Sequence, residues 1–240
     1  MRAPTLHLRG SYHLGAARLF GPFDVSLQGG QWTCLLGRSG VGKSTLLRLI
    51  AGLPCAGEFD GSITASDGTP VTDRISYMAQ SDLLLPWLNV LENTVLGAHL
   101  RGMQPDLERA KSLLDRVGLA AHQSKRPDAL SGGMRQRAAL ARTLMEDRPI
   151  ALLDEPFSAL DASTRAQMQE LAAEVLSGKT VLLVTHDPAE AVRLGHQIVV
   201  FTPNAATFAQ VPKASPVRDP FAPDTLTCQS TLLDCLRGSL

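Results

Sequence analysis

Gly37-Arg38-Ser39-Gly40-Val41-Gly42-Lys43-Ser44-Thr45 combines three glycines with Lys43 and Ser44 in the spacing G-x-x-x-x-G-K-[ST]. The glycines let successive N–H groups turn inward around an anion. Lys43 supplies a point charge for terminal phosphates, and Ser44 a hydroxyl for Mg²⁺. Trp32–Leu36 before it is a short apolar run of strand formers; Leu46, Leu47, Leu49 and Ile50 after it recur at helical spacing. The spacing predicts strand, glycine turn, helix, and the helix adds its positive end to the anion site. A glycine-rich turn that binds nothing is the alternative, and this context disfavours it.

Two further groups can do chemistry. Ile150–Leu153 is a continuous apolar run that ends in Asp154-Glu155. A strand buried on both faces reads this way, and ligands of parallel sheets gather at the strands' carboxyl ends. Asp154 there suits a Mg²⁺ held through water, and Glu155 suits a general base acting on water. An acidic cap ahead of Pro156 is the plainer account. Ser131-Gly132-Gly133 opens a helix carrying Ala138, Leu140, Ala141 and Leu144, which leaves a second set of amides open to an anion. One domain needs one phosphate loop, so a second suggests action on a nucleotide held by another chain.

The elements that must position these groups alternate. Residues 5–9 and 23–36 read as strands around a Gly29-Gly30 turn. Residues 44–53 read as a helix, and 74–79 as a strand delivering Gln80. Residues 82–145 lack strand patterning and read as a helical insertion, with helices over about 90–100 and 106–117. From Pro149, strand 150–153, helix 162–176, strand 180–184, a helix from about Pro188 and strand 198–201 follow. This predicts an α/β fold with a mostly parallel sheet. Beyond Thr202 the prolines cluster, and 203–240 reads as an extended tail with a short helix over 225–236. Tyr12, in the first connection, could stack on adenine or be a surface loop residue.

With 23 basic and 23 acidic residues among 240, no net field points to nucleic acid. No apolar run reaches the roughly 18–20 residues that span a bilayer, and Met1–Leu8 lacks a secretion-signal core. Cys34, Cys55, Cys228 and Cys235 form no CxxC pair and read as reduced thiols of a cytoplasmic protein.

Phosphate loop 37–45, Gln80, the LSGG run 130–133, the strand running into Asp154-Glu155-Pro156, Ser158-Ala159-Leu160-Asp161 and His186 stand in the order and spacing of ATP-binding cassette (ABC) ATPases. The resemblance covers about residues 3–202. It implies a RecA-like P-loop NTPase fold, with N-terminal antiparallel strands and a helical subdomain, using ATP and Mg²⁺. It implies that Ser131, Gly132 and Gly133 contact the γ-phosphate of ATP on a partner subunit, and that Asp161 crosses that interface. It also implies that His186 holds the γ-phosphate, Glu155 and water in register, while Gln80 touches Mg²⁺ and water and senses a membrane partner. Two positions depart from the family: Met134 follows LSGG where glutamine is usual, and strict spacing puts Leu14, not Tyr12, at the adenine-stacking place.

The stretch Tyr77–Asn93 resembles the nitrate/sulfonate/taurine importer group, and within it subunits proposed to import the thiamine precursor hydroxymethylpyrimidine. The implied partners are a second copy of the chain, integral-membrane permease subunits and, indirectly, a periplasmic or lipoprotein solute-binding protein, with no nucleic acid. The implied place is the cytoplasmic face of the inner membrane. A non-transport cassette ATPase acting on DNA or the ribosome is the main rival, but this chain has neither its long coiled-coil insert nor a second cassette. A plain P-loop kinase or GTPase would leave LSGG and His186 unexplained.

Overall fold

The computed structural model describes residues 3–238; the secretion-signal reading at Met1–Leu8 and the end of the 203–240 tail therefore lie partly outside the described residues. The chain divides into two units, one of 3–75, 149–155 and 177–238, the other of 76–148 and 156–176.

The first unit begins with β1 (Leu6–Leu14), which pairs antiparallel with β2 (Ala17–Leu27) and with β4 (Glu58–Ala65) in a three-stranded sheet ordered β2-β1-β4. Tyr12 is thus not in a connection but inside β1. Five strands of a second sheet lie in this unit: β3 (Trp32–Leu36), β6 (Ile150–Asp154), β7 (Thr180–Thr185), β8 (Gln197–Phe201) and β9 (Ala206–Ala209). They run in the order β6-β7-β3-β8-β9, parallel up to β8, with β9 antiparallel at the edge. Every residue of β3, β6 and β7 is buried, as the apolar runs Cys34–Leu36, Ile150–Leu153 and Val181–Val184 within them require. Phe20 stacks on Tyr12 (centroids 5.3 Å apart) and meets Phe201 edge-on at the same spacing, fusing the two sheets into one core.

Two helices complete this unit beside α1 (Lys43–Ile50), which follows the phosphate loop: α7 (Pro188–Leu194) and α8 (Pro223–Gly238). The segment after Thr202 is not an extended tail. It returns as β9 on β8, and α8 lies on α7 with Leu232 and Thr225 buried. The prolines punctuate its connections without keeping it off the core, because β9 borrows its hydrogen bonds from a strand already in place.

The second unit begins within β5 (Ile75–Met78) and holds α2 (Val90–Thr94), α3 (Leu96–Leu100), α4 (Leu107–Arg116), α5 (Gly132–Met145) and α6 (Ala162–Val175). It is larger than the 82–145 insertion, because α6 packs on α5 and Arg116 pairs with Glu174 at 2.6 Å. The 90–100 stretch is two helices broken at Val95. Gly97 lies against the Glu146 carboxylate, which pairs with Arg101, and a side chain at 97 would collide with it. Asn89 and Glu92 form a reciprocal cap on α2.

Candidate functional site

In the first unit the phosphate loop leaves β3 and enters α1 through Gly42, whose φ of 98° and close approach to Phe20 admit no side chain. Gly40, also left-handed at φ 83°, borders open space, so the loop is concave and uncrowded there. Lys43 Nζ donates to the carbonyls of Gly37 (2.7 Å) and Arg38 (2.8 Å), which holds the ammonium across the mouth of the loop. Burial lowers its pKa, while Glu155 and Asp154 oppose that shift. Arg38, Ser39 and Gly40 are exposed, whereas Val41, Ser44 and Thr45 are half-buried.

Asp154, at the end of β6, is buried and hydrogen-bonded to the Ser44 side chain, and its Oδ1 has no hydrogen-bond partner. Burial raises its pKa and so does Glu155, while the Ser44 hydrogen bond and Lys43 pull it down. An orphaned buried carboxylate oxygen beside a hydroxyl is an oxygen-only donor set, which suits a hard divalent cation such as Mg²⁺. Glu155 turns sharply away at φ 49°, a left-handed backbone unusual outside glycine, fixed by its N–H on the Val184 carbonyl at 3.0 Å. Its Oε1 lies 3.1 Å from Nδ1 of His186, which follows β7 and is 56% exposed. The structure therefore brings Lys43, Ser44, Asp154, Glu155 and His186 to one end of the sheet, where buried charge meets an open loop.

Tyr12 has no place in this site. It is 1% exposed, its hydroxyl accepts from Gly57 N–H at 2.6 Å, and its ring face is covered by Phe20, so it cannot stack on a base. Leu14, at the strand's exposed end, is the side chain that stands free there.

In the second unit Ser131 caps α5 by accepting from Met134 N–H (3.3 Å), with Ser131 and Gly132 exposed and Gly133 half-buried. Asp161 is exposed and caps α6, accepting from Thr164 N–H at 3.0 Å; that bond lowers its pKa. Between these helix starts lies Gln136, which the sequence reading passed over. Its Oε1 accepts from Ala159 N–H (2.8 Å) and its Nε2 donates to Ser158 Oγ (3.2 Å), binding α5 to the segment ahead of Asp161. Gln80, past the end of β5, is exposed.

A phosphate loop after the first strand of a parallel sheet, with acids at the end of the strand one place removed from it, defines a P-loop NTPase. The ABC transporter family model matches residues 20–158. An uncharacterized ABC transporter ATP-binding protein from Haemophilus influenzae is 45% identical over 227 residues, covering 92% of this chain and 93% of that one. Aliphatic sulfonates import ATP-binding proteins from Rhodococcus jostii (46% identical; 80% and 77% covered) and Paracoccus denitrificans (39%; 92% and 89%) are also similar. The chain belongs to the ABC transporter family, as an ATP-binding ATPase.

Proposed function

We propose that this chain is the ATP-hydrolysing subunit of an importer for a small solute, working as a head-to-tail homodimer that closes on two ATP molecules. The observation that carries this reading is the second amide end: Ser131 and Gly132 open α5 at the surface, while the chain's own phosphate loop is already complete. In the proposed dimer each copy's Ser131, Gly132 and Gly133 meet the γ-phosphate lying on the other's loop, and Asp161 crosses the same interface. Mg²⁺, held by Ser44 and Asp154, would neutralise phosphate charge.

Within the loop, the amides of residues 38–45 cradle the phosphates and Lys43 releases its carbonyls to reach the terminal ones. Glu155 takes the proton of the attacking water, and His186, 3.1 Å from it, holds base and γ-phosphate in register. Loss of the γ-phosphate removes the contact between copies and the dimer reopens. Gln80 and the apolar Leu83 and Trp87, 61% and 65% exposed, form the proposed seat of a permease's short cytoplasmic helix. The subunit then sits on the cytoplasmic face of the membrane, consistent with no helix among the described residues being long and apolar enough to cross it.

For the solute, the names of the Rhodococcus and Paracoccus relatives support a sulfonate-type compound, and the Tyr77–Asn93 stretch supports hydroxymethylpyrimidine. Competition uptake assays with an alkanesulfonate and with hydroxymethylpyrimidine separate the two. The mechanism is tested by Glu155→Gln, expected to retain ATP binding, lose about 10²–10⁴-fold in turnover and elute as a dimer with ATP. Normal turnover in that variant removes Glu155 as the base.

A further inference from the structure

Arg218 is 4% exposed, and main-chain oxygens receive its guanidinium. Nη1 donates to the carbonyls of Val192 (2.6 Å) and Gly195 (2.7 Å), Nε to Ala214 (2.7 Å) and Nη2 to Pro212 (3.2 Å). Its own N–H donates to Arg193 at 3.0 Å. Three of these carbonyls close the C-terminal end of α7, where a helix leaves acceptors unmatched and favours a cation.

The other end of α7 is the site. Asp187 caps it, accepting from Ala189 N–H at 2.9 Å, and donates its own N–H to Thr185 Oγ1 at 3.0 Å. His186 stands between β7 and that cap, more than half exposed, so its position is set by the backbone on either side. A seven-residue helix is a lever roughly 10 Å long. The turn beyond it is tied to β3, with His196 N–H on the Trp32 carbonyl (2.8 Å) and Trp32 N–H on His196 Nδ1 (3.1 Å).

We infer that Arg218 is a positioning residue for ATP hydrolysis: by gripping the far end of α7 it fixes the direction in which that helix leaves β7, and so where His186 stands against Glu155. This gives the C-terminal segment a part in turnover without contact with nucleotide. The inference rests on the role proposed for His186.

The test compares Arg218→Met, which keeps the stem and removes the donors, with Arg218→Lys, which keeps the charge but not the fork. Steady-state turnover and equilibrium binding of a fluorescent ATP analogue are both measured. Arg218→Met is expected to lower kcat about ten- to a hundredfold, with the Kd for the analogue within about twofold and the lysine variant intermediate. In single-turnover assays on a His186→Ala background, Arg218→Met is expected to cause no further fall. A further fall of the same size there overturns the inference. So does loss of analogue binding together with turnover in both variants, which marks Arg218 as a staple of the fold alone. If His186→Ala turns over like the parent, the role of His186 itself fails.

Discussion

Asp154 is a charge placed where the fold alone would not want one. Burial makes the folded state hold its proton more tightly than the unfolded chain does. Stability from that proton is complete below the ordinary carboxylate range and is lost as pH climbs through the raised folded value. Asp154→Asn should therefore raise the neutral-pH melting temperature of the nucleotide-free chain, by about 2–4 °C for each kcal/mol relieved, and flatten its rise on acidification. The same variant should lose Mg²⁺-dependent turnover. Calorimetry across pH checks the first expectation and a phosphate-release assay the second. Lys43→Ala should weaken ATP binding about ten- to a hundredfold, the value of a lost hydrogen bond to a charged group, as read by calorimetric titration. Residues 37–45 were legible because a phosphate loop is built from consecutive positions. Tyr12 was not, because its fate depends on Phe20 and Gly57, partners that only the pairing of β1 brings to it.

Helix α5 shows what an element adds to its residues. Its first turn was readable from Ser131 and two glycines, since capping is local. Gln136 was not, because Arg135-Gln136-Arg137 looks like a solvated face until α6 and its leading segment cover it. Replacing Gln136 by leucine would strip Ala159 N–H of its acceptor in a part-buried contact, at a cost of about 0.5–1.5 kcal/mol. Urea unfolding measures that cost, and an unchanged midpoint would mean the two helix starts are not bound through this side chain. Asn93 does comparable work: it is fully buried, donates to the carbonyls of Leu85, Leu88 and Asn89, and accepts from Leu85 N–H. No local pattern marks Asn93 as this tie, because the groups it holds belong to the turn before the helix.

At the scale of the whole molecule, the sequence pattern gave the alternation of strand and helix but misjudged where the first unit ends. Five prolines after Thr202 look like an extended tail when only local propensity is weighed. The tertiary partners decide otherwise: β8 offers an open edge to β9, the end of α7 offers carbonyls to Arg218, and α8 covers α7. Ending the chain at Thr202 would expose the edge of β8, leave the α7 carbonyls without their donor and uncover the surface that Leu232 buries. One buried leucine and the Arg218 hydrogen bonds together set a loss of about 3–5 kcal/mol or more, a large part of the roughly 5–15 kcal/mol that holds a domain. The truncated chain should unfold at a clearly lower urea concentration than the parent, or accumulate in the insoluble fraction. A midpoint equal to that of the full chain would return residues 203–240 to the status of an appendage.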